Sequence, residues 1–337
     1  MVEIISLNDK QKWNERIRSM LSYDFHHLNE YHELDNAGTP LLFCYEDSQI
    51  AIAFPLILRK IIDTEYNDIT SVYGYPGPIA NRLDFPPDSI RNFQKELVSF
   101  FDSQRIVSAF SRLHPLFPEQ SSVLKDMGLV EDLNLTVGID LSLSPEEQRR
   151  QYSASLKNRI NALRRKKIIV KRARTRDEIN SFLEIYRENM SRVNAAPGYY
   201  FSSEYFYKFL DSIDSAVFLA YHEREVIAGS LFTFCNTIMQ SHLSATKNDF
   251  LKWNPMKLVL DEARLYGIEQ NMRFLHLGGG VNGKNDSVFA FKSQFSQSRF
   301  QFKIWKYIHD KEMYQQLIRN KPGVNNDETS FFPLYRM

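Results

Sequence analysis

"LLFCYEDSQIAIAFPL" (Leu41–Leu56) lies without a gap over "VFLAYHEREVIAGSLF" (Val217–Phe232). Each is an apolar run ending in tyrosine, then a polar turn of about four residues, then a second apolar run. Runs of this kind, bounded by polar clusters, read as the two strands of a β-hairpin. The likeness continues downstream. "FPPDSIRNFQKELVSFFDSQRIVSAFSRL" (85–113) and "WNPMKLVLDEARLYGIEQNMRFLHLGG" (253–279) share an order of elements. Both have a proline at a helix start, an amphipathic helix, a short polar break and a strand. A hairpin, a further strand, a helix and a strand therefore occur twice. Such self-similarity predicts a duplicated α/β domain, with the first copy over 1–141 and the second over 142–337. Two similar halves side by side make a natural cleft, and ligands favour domain interfaces.

The bulk properties agree with that plan. A chain of 337 residues suits two domains, and 43% hydrophobic with 25% charged residues is a soluble globular composition. The longest apolar run, Ile50–Leu58, has the length of a buried strand rather than a membrane span. The N-terminal "MVEIISLNDKQKW" lacks the basic-then-apolar layout of a signal peptide. Cys44 and Cys235 alone make no disulfide framework and read as core residues. The expected setting is the reduced cytoplasm, and no DNA partner is indicated.

The net charge of +1 hides an asymmetry: residues 1–140 carry 12 Lys and Arg against 21 Asp and Glu, the remainder 30 against 20. Arg149–Arg176 holds twelve cations, Arg159 among them, and no acid. Phosphate is the natural partner of such a run, on RNA, a nucleotide or a lipid head group. A solvated face partnered by the acidic half is the other reading. Its first part, "SPEEQRRQYSASLKNRINALRRKK" (144–167), reads as a helix. Ser144 caps it, Pro145 suits its first turn, and Glu146 and Glu147 suit the positive end of its dipole.

"LHLGGGVNGKNDSVFAFKSQF" (Leu275–Phe295) mimics a nucleotide-triphosphate loop at Gly278, Gly283 and Lys284. The next residue is Asn285, where a hydroxyl is needed to hold magnesium. The stretch reads instead as a strand whose glycines feed a short helix capped by Asn285 or Asp286. Gly278–Gly280 would let a ligand approach the backbone. In that helix Lys292 sits beside the apolar stripe of Val288, Phe291 and Phe295. Either its chain snorkels over aromatic rings, or it holds a cation near a phosphate or a developing oxyanion.

Two further stretches bear polar groups. In "VYGYPGPIA" (Val72–Ala80), Tyr73 and Tyr75 either line a pocket for a sugar or peptide or pack within a rigid turn. "FHHLNEYHE" (Phe25–Glu33) places His27 and Glu30 one helical turn apart, too few ligands for a metal site, and reads as an exposed helix face. No Ser-His-Asp or Cys-His order is evident.

"SLKNRINALRRKKIIVKRA" (155–173), the segment 217–268, "LHLGGGVNGKNDSVFAFKSQF" and "YGYPGPIA" together resemble the FemABX family. The resemblance covers most of the chain and is best in residues 150–300. It implies an α/β (α+β) protein of two tandem GNAT-like domains, each a mixed, mostly antiparallel sheet flanked by helices. It also implies an acyl- or aminoacyltransferase with no permanently bound cofactor. The best-known members move amino acids from aminoacyl-tRNA onto a peptidoglycan precursor, and related members occur in polysaccharide pathways. The implied donor is aminoacyl-tRNA or acyl-CoA. The implied acceptor is an amine of a phosphate-bearing envelope precursor, which brings peripheral contact with a membrane surface.

The resemblance places Phe291 and Lys292 at the active cleft, with the lysine neutralising substrate phosphate or the transition-state oxyanion. Gln240, His242 and Ser244 fall where the peptidyl-transferases commonly carry tyrosines. Tyr73, Tyr75, Gly279, Gly280 and Arg159 complete the expected substrate contacts. In GNAT-like folds a splayed strand pair offers backbone N–H groups to the acyl carbonyl; the splay is expected here between Leu231–Phe234 and the strand of His242. His242 is then a general base or a core histidine. The segment "KNDFLKWNPMKL" (247–258) lacks the glycines of the usual coenzyme A pyrophosphate loop. The other readings are an acetyl-CoA-dependent N-acetyltransferase on a small molecule or sugar nucleotide, and a binding protein that kept the fold without catalysis.

Overall fold

The computed structural model describes residues 1–280, 286–321 and 331–337. They form two compact units, one of 1–133 with 301–337 and one of 134–300. The first unit begins with β1 (Val2–Ser6), α1 (Lys10–Arg18), α2 (Asn29–His32), β2 (Thr39–Glu46) and β3 (Ala51–Lys60). It continues through β4 (Asn67–Thr70), β5 (Ile79–Ala80), α3 (Pro87–Ser103), β6 (Ile106–Leu113) and α4 (Glu119–Val123). β7 (Leu129–Asp140) carries the chain onward. The second unit then adds α5 (Pro145–Arg150), α6 (Ala154–Arg165), β8 (Ile169–Arg172), α7 (Arg176–Arg192) and α8 (Ser203–Ser212). β9 (Ser215–His222), β10 (Glu225–Cys235), β11 (Ile238–Thr246), α9 (Met256–Glu269), β12 (Phe274–Gly278) and α10 (Ser287–Lys292) complete it. β13 (Arg299–Ile308) and α11 (Lys311–Arg319) belong to the first unit from Gln301 on.

Both units are mixed sheets flanked by helices, as the repeat predicts. The strand order is β1-β2-β3-β4-β6-β13 in the first unit and β7-β12-β11-β10-β9-β8 in the second. The two quoted stretches are antiparallel hairpins, with Phe43 opposite Phe54 in one and Leu219 opposite Gly229 in the other. Their turns differ. Asp47 closes the first by accepting from the N–H groups of Gln49 and Ile50. The second is shorter than the sequence suggests, with Glu223 in left-handed backbone at φ 56°. Each unit then has a helical crossover to a parallel strand: α3 joins β4 to β6, and α9 joins β11 to β12.

Apolar spacing explains the helices. Phe93, Leu97 and Phe101 recur every four residues on α3, are fully buried, and join the first core with Phe43 and Phe54. Each such side chain contributes about 1.5–3 kcal/mol. α9 buries residues on nearly every side, from Met256 through Asp261, because α6 packs along its outer face. That is why its apolar pattern is less one-sided than that of α3.

Two expectations about organisation differ from the structure. The stretch after Gln301 does not stay with the second domain. Trp305 is fully buried in the first core, 5.8 Å from Phe54 between ring centroids, and its Nε1 donates to the Met127 carbonyl. The stretch read as one helix over 144–167 is two. Ser144 and Glu147 cap α5 reciprocally, the helix stops, and Ser153 caps α6 by accepting from the Leu156 N–H. A second capping serine inside the run is the physical cause of the break.

A candidate active site at a fork between two strands

β11 and β12 run side by side in parallel for three residue pairs, Ile238 with Phe274, Met239 with Leu275 and Gln240 with His276. There the pairing ends and the strands part. β11 continues to Thr246 paired only with β10. The fork therefore lies between β11 and β12. The expected splay between β10 and β11 is not found: those strands pair from Ala228–Thr246 through to Cys235–Ile238. The irregularity in that pair is a bulge. Leu231 faces Leu243 and Phe232 faces Ser241, so His242 is the extra residue.

The bulge sets the neighbouring side chains. The half-buried His242 ring stacks on Phe209 of α8, with centroids 5.0 Å apart and planes 12° apart. Ser241 and Ser244 both reach the buried Ser230. The Ser230 and Ser244 hydroxyls are 2.8 Å apart, and Ser230 donates to the Leu243 carbonyl at 3.0 Å.

At the fork itself Gln240 and His276 are buried, and the His276 ring bridges two partners. Its Nδ1 is 3.4 Å from Gln240 Oε1 and its Nε2 is 3.0 Å from Thr136 Oγ1. Gly278 ends β12 at φ 75°, backbone that a side chain disfavours. A Cβ on Gly279 would meet Asn134 Nδ2 at 2.9 Å and the Leu135 carbonyl at 3.1 Å, so glycine is needed for this close approach. Gly280 follows, half-buried. Gly283, Lys284 and Asn285, the rest of the phosphate-loop mimic, lie outside the described residues.

α10 then turns back. Asp286 caps it by accepting from the N–H groups of Val288 and Phe289. Phe291 packs edge-on to Phe295, which is fully buried in the core of the second unit. Lys292, half-buried one residue further, donates from Nζ to the Gly279 carbonyl at 2.7 Å. Burial pushes its ammonium down to about 8, with Asp286 opposing the shift. Lys292, Gly279, Gln240 and Ser244 thus lie on the elements that bound the fork. Arg159 is exposed on α6, on the side of Lys257, whose amine donates to Gln294 and is lowered by burial and by Arg159.

Tyr73 and Tyr75 belong to the first unit. Tyr73 is 51% exposed, and its carbonyl accepts from the Tyr31 hydroxyl. Tyr75 stands edge-on to His26, His114 and Phe302, and burial pushes its phenol up to about 12. The histidines beside it are not an exposed face. His26, His27 and His32 are all fully buried. His27 Nε2 lies 3.2 Å from the Gly77 carbonyl and His32 Nε2 lies 3.0 Å from that of His26. The His27 and His32 rings thus turn inward and satisfy buried backbone carbonyls, one in the distant turn at Gly77 and one at His26.

Asp24, His26 and His114 come within 4.8 Å of one another, a spacing that fits a cation. The tautomer of His114 argues against one. Its Nδ1 accepts from the Leu116 N–H, so the neutral ring carries its proton on Nε2 and donates it to Asp24 at 3.2 Å. A ring in that state has no lone pair to offer a metal.

The basic run divides. Arg164 and Arg149 join Arg264 around the fully buried Asp261, which also accepts from the Tyr152 hydroxyl. Lys166 covers the Trp253 ring at 4.4 Å. Arg159, Arg165, Lys167, Lys171 and Arg174 are exposed and have no acid partner among the described residues.

The model of the acetyltransferase (GNAT) domain family matches residues 149–293. The crystal structure of FemX matches with a TM-score of 0.71 at 12% identity, covering 93% of this chain and 99% of that one. Residues 149–293 form a GNAT domain, and the chain has the FemX fold. L-PGS from Bacillus licheniformis matches at a TM-score of 0.57 and 13% identity, over 92% of this chain and 95% of that one. A conserved protein of unknown function from Bacteroides thetaiotaomicron gives 0.59 and 10%, over 91% and 100%. No curated protein sequence matches the chain. The matched segment spans both strands of the fork, the GNAT crossover helix α9 and Lys292.

Sequence reading missed His276, Thr136 and Asn134. The signals were present. His276 is the polar residue in the apolar strand "FLHL", and Asn134 and Thr136 alternate along β7 in "LNLTVGID", placing both on one face.

Proposed function

We propose that this chain is an acyltransferase that moves an aminoacyl or acyl group onto an amine of a cell-envelope precursor, with the reaction centred on the fork. The observation that carries this reading is the convergence at one place of unpaired strand edge, Lys292 and a buried polar row. An amine attacking an ester or thioester carbonyl forms a C–N bond and a tetrahedral oxyanion, and then the C–O or C–S bond breaks. The amine must lose a proton and the leaving group must gain one. Lys292 supplies the cation for the oxyanion or for a substrate phosphate. His242, set out of register by the bulge, is the candidate base. Phe291 and the glycines of 278–280 shape the approach. The acceptor class rests on the resemblance to FemABX sequences and on the FemX fold.

Aminoacyl-tRNA is the preferred donor. The exposed Arg159, Arg165, Lys167, Lys171 and Arg174 lack acid partners among the described residues, which leaves their charge open to a polyphosphate ligand. The segment before α9 has no glycine and forms a tight helical turn over Asn248–Trp253, whose Trp253 ring stacks under Lys166. A pyrophosphate would need bare backbone there. The second reading, an acetyl-CoA-dependent N-acetyltransferase, is favoured by the GNAT domain match. Turnover assays with each donor, using wild-type protein and Lys292→Ala, test the proposal. Acyl transfer unaffected by that substitution removes Lys292 from the mechanism.

A further inference from the structure

The hydrogen-bond chain at the fork contains few protons to distribute. Thr136 has one hydroxyl proton and two neighbours, the Phe300 carbonyl at 3.2 Å and His276 Nε2 at 3.0 Å. A carbonyl only accepts, so the proton that satisfies Phe300 leaves Thr136 Oγ1 as an acceptor toward His276. His276 then carries its proton on Nε2, and its Nδ1 is an acceptor facing Gln240. The group that must face it is an N–H, and a half-turn of the carboxamide brings Gln240 Nε2 to that place with almost no change of shape. This arrangement makes three hydrogen bonds from Gln240 to Phe300. The opposite arrangement, with Thr136 donating to the ring and the ring donating to Oε1, makes two. All of these side chains are buried, where a missing hydrogen bond costs most.

We propose that His276 is a positioning residue: with Thr136, it turns the Gln240 carboxamide so that Oε1 is left as a hydrogen-bond acceptor at the fork. The other end of the carboxamide has no partner among the described residues, and Gln240 is the last residue of β11 paired to β12. A carbonyl oxygen at that point accepts from an N–H of the incoming amine and makes the fork selective for a group that can donate. The inference rests on the acyltransferase reading for its meaning, while its structural content stands apart from turnover.

The test is the histidine tautomer. In 15N-labelled wild-type protein, long-range 1H–15N correlations of the His276 ring distinguish Nε2–H from Nδ1–H. The proposal predicts the neutral Nε2–H form, kept in Thr136→Ser and switched to Nδ1–H in Thr136→Val, where the ring has lost its acceptor. An Nδ1–H ring in the wild type overturns it, as does a Thr136→Val ring that stays unchanged. This measurement needs no substrate, so its failure is separate from failure of the transferase reading. In a turnover assay, Gln240→Leu is expected to raise KM for the amine about tenfold, the worth of one hydrogen bond, with kcat little changed. A variant that loses kcat alone contradicts a role in holding the amine.

Discussion

Lys292 Nζ hydrogen-bonds the Gly279 carbonyl at 2.7 Å, which ties the end of α10 to the glycine turn after β12. One hydrogen bond thus holds a cation beside the backbone that frames the fork. Because the ammonium sits at about 8, its charge is complete at lower pH and is lost as pH rises through that value. Turnover is expected to show a basic limb near pH 8. Lys292→Ala should lower kcat by about 10²–10³, the usual cost of removing one oxyanion donor. A pH–rate profile checks both: a limb that persists in Lys292→Ala belongs to another group.

The Asp261 cluster predicts a stability effect without a direct effect on chemistry. Arg264 is 2% exposed and ion-pairs with Asp261 at 3.0 Å. Asp261→Ala leaves that guanidinium buried with no counter-charge, and is expected to cost about 3–5 kcal/mol. Urea unfolding of the two proteins measures the difference; a loss under about 1 kcal/mol, the worth of an exposed pair, would place the cluster at the surface in solution.

Asp24 governs the acid side. Burial alone would raise its carboxyl, but hydrogen bonds from His114 and His26 hold it well below the usual carboxylate range. A depressed carboxylate contributes stability above its unfolded value of about 4 and loses it as pH falls through the folded value. The wild type should therefore weaken steeply below about pH 4, and Asp24→Ala, already without the carboxylate, should show a shallower decline. Thermal unfolding from pH 7 to pH 3 compares the slopes.

Much of this architecture is legible in the chain. The hairpins at 41–56 and 217–232 and the two crossover helices stand out because apolar spacing and proline placement are local signals. Lys292 is legible through its place beside Phe291. The position of the fork is not, because strand partners are set by non-local pairing: β11 leaves β12 after Gln240, and nothing near Gln240 in sequence announces it. The inward-turning histidines of 26–32 read as surface for a related reason. Their partners, such as the Gly77 carbonyl, are distant in sequence. Trp305 likewise reveals its core only through Phe54.

The exposed cations make a separable prediction. Replacing Arg165, Lys167 and Lys171 with alanine removes charges that the structure pairs with no acid among the described residues. Affinity for aminoacyl-tRNA should fall, and the dependence of log affinity on log salt should flatten by about 0.7 for each phosphate no longer neutralised. Filter binding at several salt concentrations reads both. Unchanged affinity with an unchanged slope would return this surface to plain solvation.

The most direct test of the transferase reading is calorimetric titration of the purified protein with acetyl-coenzyme A and, in parallel, with a mixed aminoacyl-tRNA pool. The account predicts saturable binding of aminoacyl-tRNA that weakens steeply with salt, and no comparable binding of coenzyme A. Saturable coenzyme A binding alone would move the protein to small-molecule N-acylation. Binding of neither donor would contradict an acyltransferase centred on the fork.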